Sequence, residues 1–188
     1  SSLYPQNTLP AFSGATKYGF EAFELDIHTT KDGKWVVIHN DTVDDMTDSE
    51  GKVADCTLEE LKSMTIDNGN GIKNHPDLRM PTLRESLDVC KEWDITPVIE
   101  IKNCDTAYLP DLKAILDEYG LSDTAAIISF TKEYLEIYRE LDKDIEILYL
   151  SHVPTKEDID WCAEHDFGIN FNHKCLYKCF SAIKYARE

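Results

Sequence analysis

Apolar and polar side chains alternate over residues 23–28, and this period of two predicts a β-strand. One face of the strand would be apolar, and the other would carry Glu24, Asp26 and His28. In a half-buried strand such a polar face can simply contact solvent, so the alternation alone leaves a functional face and a solvated face both open.

The residues that follow predict a tight turn and a second strand. Residues 31–34 favour a turn in which Gly33 supplies a positive φ, and residues 35–38 are an apolar run that leads to His39. A strand that is apolar along its length and polar at its C-terminal tip is typical of a parallel barrel, whose active site lies at the C-terminal ends of the strands.

Helical and strand periodicities alternate along the rest of the chain. Helices are predicted for residues 9–18, for a short segment that begins at 57, for 82–93, 108–119, 131–141 and 155–165, and from 174 onward. Further strands are predicted for residues 96–101, 125–130, 146–150 and 168–171. Strands separated by helices require right-handed crossovers and a parallel sheet. We therefore expect an α/β fold, an eight-stranded (β/α) TIM barrel with about six of its strands present.

The length and the charge limit the class of protein. A chain of 188 residues suits one domain, here residues 1–188. The excess of 36 acidic over 19 basic residues gives a net charge of -17, which disfavours nucleic acid and stable membrane association. An anionic substrate would meet the same repulsion, so a phosphate site would need a metal ion or a well-placed basic side chain. No stretch approaches the roughly 18 to 20 apolar residues of a membrane span, and we expect a soluble, cytoplasmic protein.

The six cysteines form neither a C-x-x-C pair nor the ladder of a secreted disulfide scaffold. This pattern favours free thiols in a reducing compartment. Cys175 and Cys179 lie four residues apart on a predicted helix and could share a metal ion, although ordinary packing is the simpler explanation.

Three carboxylates are the candidate metal ligands. Glu24, Asp26 and Glu100 are expected at strand ends, where converging oxygen ligands suit a hard divalent cation such as Mg²⁺ or Ca²⁺. Without a cation, such carboxylates would repel each other and stay partly protonated. The alternative is that Glu100 pairs with a base such as Lys102 across the mouth of the barrel.

His39 and Lys102 are the candidates for catalysis and substrate binding. An imidazole exchanges protons near neutral pH, so His39 could serve as a general acid or base for a phosphodiester oxygen. A lone histidine at a strand end can equally be structural. Lys102 is two residues after Glu100 on the same face, where its charge could contact a nonbridging phosphate oxygen.

Six short motifs follow one another in a recognisable order and spacing. They are PQNTLPAF at residues 5–12, E-x-D at 24–26, TKDG at 30–33, V-x-H at 37–39, MPTL at 80–83 and IEIK at 99–102. Each motif is weak alone, but the ordered set is specific. On these motifs the chain resembles the glycerophosphodiester phosphodiesterases over most of its length.

The resemblance implies metal-dependent hydrolysis of a small glycerophosphodiester substrate to glycerol 3-phosphate and an alcohol, as part of lipid and glycerol metabolism. In that family two histidines exchange protons, and His39 matches the second of them. The first belongs to a His-Arg-Gly motif that would precede the segment matching residues 1–8 and is not found in this chain. The family's final strand is also not found, so we expect the sequence to be part of a longer polypeptide.

Three positions depart from the family pattern. Gln6 stands where glutamate is usual, Asn40 where aspartate often follows the histidine, and Asp45 where arginine is common. The first two each remove an anionic ligand or orienting group, and Asp45 adds to the negative field.

Two other functions stay open at this point. One is a barrel phosphodiesterase that acts on a lipid head group, which the acidic composition disfavours at anionic bilayers. The other is a noncatalytic relative with a partial site. The missing histidine motif favours this second alternative, and the retained site residues disfavour it. The alcohol, the metal and the oligomeric state cannot be read from the sequence.

Overall fold

The computed structural model describes residues 3–172, 174 and 179–186. The strands are β1 (Ala22–Thr29), β2 (Trp35–Val37), β3 (Thr96–Asn103), β4 (Ala126–Ser129), β5 (Glu146–Ser151) and β6 (Gly168–Phe171). The α-helices are α1 (Leu9–Lys17), α2 (Leu58–Ser63), α3 (Leu83–Trp93), α4 (Leu109–Tyr119), α5 (Lys132–Leu141), α6 (Lys156–His165) and α7 (Phe180–Tyr185). The first six helices and all six strands therefore lie within one or two residues of their predicted bounds. Cys175, the suggested partner of Cys179, lies outside the described residues.

The six strands form one sheet in the order β2-β1-β3-β4-β5-β6. Neighbours from β1 to β6 are parallel, as the alternation of helices and strands predicted. The interpretation of β2 as a parallel barrel strand is wrong, because β2 is antiparallel to β1. The five residues between the two strands, 30–34, are enough to reverse the chain into a hairpin but too few for the crossover that a parallel pair requires.

The turn between β1 and β2 has the conformation expected of it. Gly33 has a φ of 69°, and its amide donates to the carbonyl of Thr30 at 3.0 Å. The hydroxyl of Thr30 donates to Oδ1 of Asp32 at 2.7 Å and accepts from the amide of Lys34 at 2.9 Å. These bonds fix the turn, and the ring of Tyr108 lies directly against Gly33.

The two faces of the sheet differ in polarity. One face is apolar, fully buried beneath the helices, and includes Leu25, Ile27, Ile99, Ile101, Ile127 and Ile147. The opposite face carries the acidic, basic and histidine side chains of β1 and β3. Asp26 lies beside Glu100 in the register of these two strands, so both side chains project from this polar face.

Residues 40–80 form an insertion, which builds a small apolar cluster together with Val36 and Ile38 of the hairpin. The buried members of this cluster are Val36, Ile38, Val43, Met46, Val53, Leu61, Ile66 and Met80. Alternate residues of the hairpin strand enter the two cores, since Val36 belongs to the insertion cluster and Trp35 and Val37 belong to the main core. The hairpin is held from both sides, and this fixes the position of the residues that follow it.

Candidate active site

The three predicted carboxylates meet in the structure. One oxygen atom each from Glu24, Asp26 and Glu100 lies within 4.8 Å of the other two. The strand register explains the convergence: Asp26 and Glu100 are direct neighbours on β1 and β3, and Glu24 is two residues earlier on the same face of β1.

Asn7 fixes the central carboxylate, and sequence reasoning did not identify this residue as part of the site. Its Nδ2 donates to Oδ2 of Asp26 at 2.6 Å, and its Oδ1 accepts from the backbone amide of Asp26 at 3.1 Å. Asn7 has a φ of 55°, a left-handed conformation that asparagine tolerates better than most residues, and it precedes Thr8, the N-cap of α1. An asparagine just before a helix N-cap indicates the left-handed backbone conformation of Asn7. It does not indicate the contact with Asp26, which is 19 residues away in the sequence.

The carboxylates strongly perturb one another. Desolvation, followed by the negative charges of Asp26 and Glu100, raises the pKa of Glu24 to about 8. Part of the Glu24 side chain is exposed, but protein atoms surround its carboxyl group closely enough for desolvation to dominate. Desolvation also raises the pKa of Glu100, against the opposing effect of Lys102. Without a cation the three carboxyl groups therefore carry fewer than three negative charges at pH 7, as expected for carboxylates that converge without a metal ion.

Lys102 lies among the carboxylates. Its Nζ is 3.0 Å from Oε1 of Glu100 and 3.6 Å from Oδ1 of Asp26. Burial disfavours the charged amine, but the hydrogen bond to Glu100 and the carboxylate charges outweigh burial and raise the pKa of Lys102. The salt bridge that was the alternative role for Glu100 is thus present, together with the clustering of the three carboxylates.

The donor set fits a hard divalent cation. All three side chains offer oxygen, the ligand that Mg²⁺ and Ca²⁺ prefer. Oδ1 of Asp26 is buried and has no hydrogen-bond partner among the described residues. The amine of Lys102, at 3.6 Å, is too distant for a hydrogen bond to this oxygen, and a cation bound between these side chains would satisfy it.

His39 lies beside the carboxylates because the hairpin returns along β1. The amide of Ile38 donates to the carbonyl of Asp26 at 3.0 Å, which places the next residue next to β1. His39 is exposed, and with Glu24 and Asp26 it lines an open depression of about 270 Å³. The position predicted for His39 is correct, although the reason given for it, a parallel strand tip, is not.

His28 shares the polar face but is not accessible. Only 2% of its surface is exposed, its Nδ1 lies 3.7 Å from Oδ1 of Asp41, and burial lowers its pKa. A direct contact between His28 and a substrate is not supported by this burial.

Comparison with known proteins identifies the family. The model of the glycerophosphoryl diester phosphodiesterase family matches residues 1–174. The chain belongs to this family. The resemblance found in the sequence motifs is confirmed, and the α/β fold with its mostly parallel sheet is that of a partial barrel of this family.

Curated relatives extend beyond this chain. Glycerophosphodiester phosphodiesterase 1 of Homo sapiens is 34% identical over 163 residues, which are 86% of this chain and 47% of the human protein. The glycerophosphodiester phosphodiesterase of Caldanaerobacter subterraneus is 36% identical over 151 residues, which are 78% of this chain and 61% of that protein. The chain thus spans between about half and three fifths of the length of these relatives.

Solved structures share the fold. A phosphodiesterase of Oleispira antarctica, in complex with the product sn-glycerol-3-phosphate, matches this chain with a TM-score of 0.90 at 21% identity. The match covers 100% of this chain and 77% of the Oleispira chain. A glycerophosphodiester phosphodiesterase of Parabacteroides distasonis has a TM-score of 0.77 at 24% identity, over 97% of this chain and 73% of its own. Within the described residues, no helix combines the length and the apolar character needed to cross a bilayer.

Proposed function

We propose that the protein containing this chain hydrolyses glycerophosphodiesters to glycerol 3-phosphate and an alcohol. The observation that carries the proposal is the convergence of Glu24, Asp26 and Glu100 beside His39 and Lys102, in a chain of the phosphodiesterase family. The phosphodiesterase of Oleispira antarctica, which shares the fold, binds sn-glycerol-3-phosphate as its product.

Glu24, Asp26 and Glu100 would hold one divalent cation, Mg²⁺ or Ca²⁺. When bound, the cation supplies positive charge that polarises the phosphodiester and offsets the negative field of the protein. The pair of bonds from Asn7 orients Asp26 for this role, because a carboxylate that is fixed by neighbouring hydrogen bonds loses less freedom when it ligates a metal.

Lys102 is proposed to bind the substrate phosphate. The carboxylates around it keep its amine charged, and Nζ is a mobile point charge that can contact a nonbridging oxygen. This role replaces or shares its contact with Glu100, whose carboxylate then becomes free for the cation.

His39 is proposed as the proton-transfer residue. It is exposed in the depression that Glu24 and Asp26 also line, so a phosphodiester held at the carboxylates would lie within reach of the imidazole. One ring nitrogen can accept a proton from the attacking nucleophile or donate one to the leaving alkoxide.

The chain is proposed to act as part of one domain. A single apolar core contains residues from Phe12 on α1 to Phe167, which precedes β6, and β2 joins this core to the insertion.

Cytoplasmic localisation also stays a proposal, which fractionation of the native host with a tagged protein would test.

The test is a hydrolysis assay with the full-length protein, glycerophosphocholine or glycerophosphoethanolamine, and added Mg²⁺ or Ca²⁺. Release of glycerol 3-phosphate is expected, and His39→Ala should lower kcat roughly a hundredfold or more, the usual scale for a positioned acid or base. His165→Ala, in the last turn of α6, is the control and should retain activity. Binding of glycerol 3-phosphate without any turnover by the parent protein would instead indicate a noncatalytic relative.

A further inference from the structure

The amide side chain of Asn40 lies between His39 and the carboxylate of Asp45 and contacts both. Nδ1 of His39 lies 2.7 Å from Oδ1 of Asn40, and Nδ2 of Asn40 donates to Oδ2 of Asp45 at 2.7 Å. We propose that Asn40 and Asp45 are positioning residues that fix the tautomer of His39, so that Nε2 is the atom that exchanges protons. The assignment of the proton to Nδ1 follows from these contacts, whereas the catalytic role of Nε2 rests on the function proposed above.

The donors and acceptors in this chain of contacts can be ordered in one way. A carboxylate has only acceptor oxygens, so the NH₂ group of Asn40 must face Asp45. The amide oxygen then faces His39, and an oxygen acceptor requires a hydrogen on Nδ1. Neutral His39 therefore carries its proton on Nδ1 and presents the lone pair of Nε2.

The same arrangement suits both protonation states of the imidazole. The amide oxygen of Asn40 accepts from Nδ1–H whether the ring is neutral or positively charged. Proton exchange is then confined to Nε2, while the bond at Nδ1 keeps the ring orientation. A proton-transfer residue needs such a fixed geometry, since a small displacement of the ring lowers the rate steeply.

Asp45 is anchored by the insertion although its side chain is exposed. Its backbone carbonyl accepts from Nδ2 of Asn68 at 2.8 Å, and the next residue, Met46, is buried in the insertion cluster. The carboxylate of Asp45 is thereby kept near Asn40. Folding of the insertion and the tautomer of His39 are linked through this contact.

A change of charge at position 45 should move the proton of neutral His39 to the other ring nitrogen, and a compensating change at position 40 should move it back. In Asp45→Arg, a guanidinium can only donate, so the amide of Asn40 would turn its oxygen toward position 45. Its NH₂ group would then face His39, whose Nδ1 would have to accept, leaving the proton on Nε2. In the double variant Asn40→Asp/Asp45→Arg, a carboxylate at position 40 accepts from both sides, and the proton returns to Nδ1.

Long-range ¹H–¹⁵N NMR of the histidine rings tests this in the complete chain, at a pH where the imidazoles are neutral. The His39 signals are assigned with His39→Gln. The parent protein should show a protonated Nδ1, Asp45→Arg should shift the population toward protonated Nε2, and the double variant should restore the first pattern. Asp67→Arg makes the same charge change at another exposed aspartate of the insertion and should leave His39 unaffected.

An unchanged tautomer in Asp45→Arg, or a failure of the double variant to restore it, would overturn the proposal. If circular dichroism shows that Asp45→Arg does not fold, Asn40→Leu serves instead, because it removes both hydrogen bonds at nearly constant volume. That variant should lose the preference for protonated Nδ1, and retention of the preference would equally overturn the proposal.

Kinetics separate this inference from the proposed function. In the active protein, Asp45→Arg should lower kcat about tenfold with little change in KM, which is near the lower end of the effect of losing a hydrogen bond to a charged group. The double variant should recover most of the loss. A parent protein without hydrolytic activity would contradict the proposed function, whereas the tautomer measured by NMR would still decide the roles of Asn40 and Asp45.

Discussion

Asn7 holds Asp26 from two directions, because its amide donates to the carboxylate at 2.6 Å and accepts from the backbone amide of the same residue at 3.1 Å. This pair joins the segment before α1 to the middle of β1. It fixes both the position and the rotation of the central carboxylate, while the other carboxylate oxygen, Oδ1, is left without a hydrogen-bond partner among the described residues.

Asn7→Gly tests whether this contact supports metal binding. Glycine accepts the φ of 55° without strain, so the variant removes the side chain and keeps the backbone conformation. We expect the affinity for Mg²⁺ or Ca²⁺ to fall about 10–100-fold, the usual cost of losing a group that orients a ligand. Isothermal titration calorimetry measures the affinity. Asn7→Ala should in addition be less stable than Asn7→Gly, because alanine is strained in the left-handed conformation. Parent-like affinity in Asn7→Gly would show that Asp26 needs no orienting amide.

Glu100→Gln tests the metal site itself. The substitution keeps the size of the side chain but removes one of the three converging charges, so calorimetry with Mg²⁺ and Ca²⁺ should show lost or greatly weakened binding. Glu164→Gln, a similar change at an exposed position of α6, is the control. Equal binding by the two variants would contradict the assignment of the carboxylates as ligands.

The local periodicities in the sequence were sufficient to predict most of the elements and the polar face of β1. Glu24, Asp26 and Glu100 could be grouped because a period of two and a parallel sheet leave few arrangements. The direction of β2 was misjudged, since an apolar run looks the same in a buried parallel strand and in a hairpin strand shared by two cores. Turn length was the better signal.

Contacts between distant or irregular segments could not be predicted. The bond from Asn7 to Asp26 depends on where α1 returns to the sheet, and no local pattern encodes it. Asn40 and Asp45 were each interpreted as a separate departure from the family pattern. In the structure they contact each other, so the two departures are complementary.

Glu85 gives a prediction for stability as a function of pH. It completes the capping box of α3 with Thr82, and its carboxylate accepts from Nζ of Lys62 at 2.6 Å and 2.8 Å. Burial disfavours the charge, but the hydrogen bonds from Lys62 and from the backbone of Thr82 outweigh burial and lower the pKa of Glu85. A lowered pKa means that the stabilisation is complete above the pKa of the unfolded chain, about 4.3, and is lost as the pH falls through the folded value.

Glu85→Gln removes the charge and keeps a side chain that can still cap the helix. At pH 7 the free energy of unfolding should fall by about 1 kcal/mol or less, because the pair with Lys62 is partly exposed. The difference from the parent protein should begin to shrink as the pH falls below about 4.3, the pKa in the unfolded chain, and should vanish only below the lowered pKa of folded Glu85, where the parent carboxyl group is also protonated. Urea titrations between pH 3 and pH 7 measure it, with Glu92→Gln on the same helix as control. A difference that is independent of pH would mean that the charge of Glu85 contributes nothing.

Gly33 and Gly120 separate the cost of backbone conformation from the cost of crowding, because both have a φ of 69°. No atom lies within 4 Å of a Cβ built on Gly120, whereas a Cβ on Gly33 would overlap the ring of Tyr108. Gly120→Ala should therefore lower the free energy of unfolding by about 1–2 kcal/mol, the cost of a left-handed alanine. Gly33→Ala should lower it by about 1–3 kcal/mol more through steric strain.

Combining Gly33→Ala with Tyr108→Ala should remove that excess, and denaturant unfolding of the four variants gives the coupling energy. If Gly33→Ala were instead no more destabilising than Gly120→Ala, the ring of Tyr108 would move aside without an energetic cost. Its contact with Gly33 would then not contribute to holding the hairpin that carries His39.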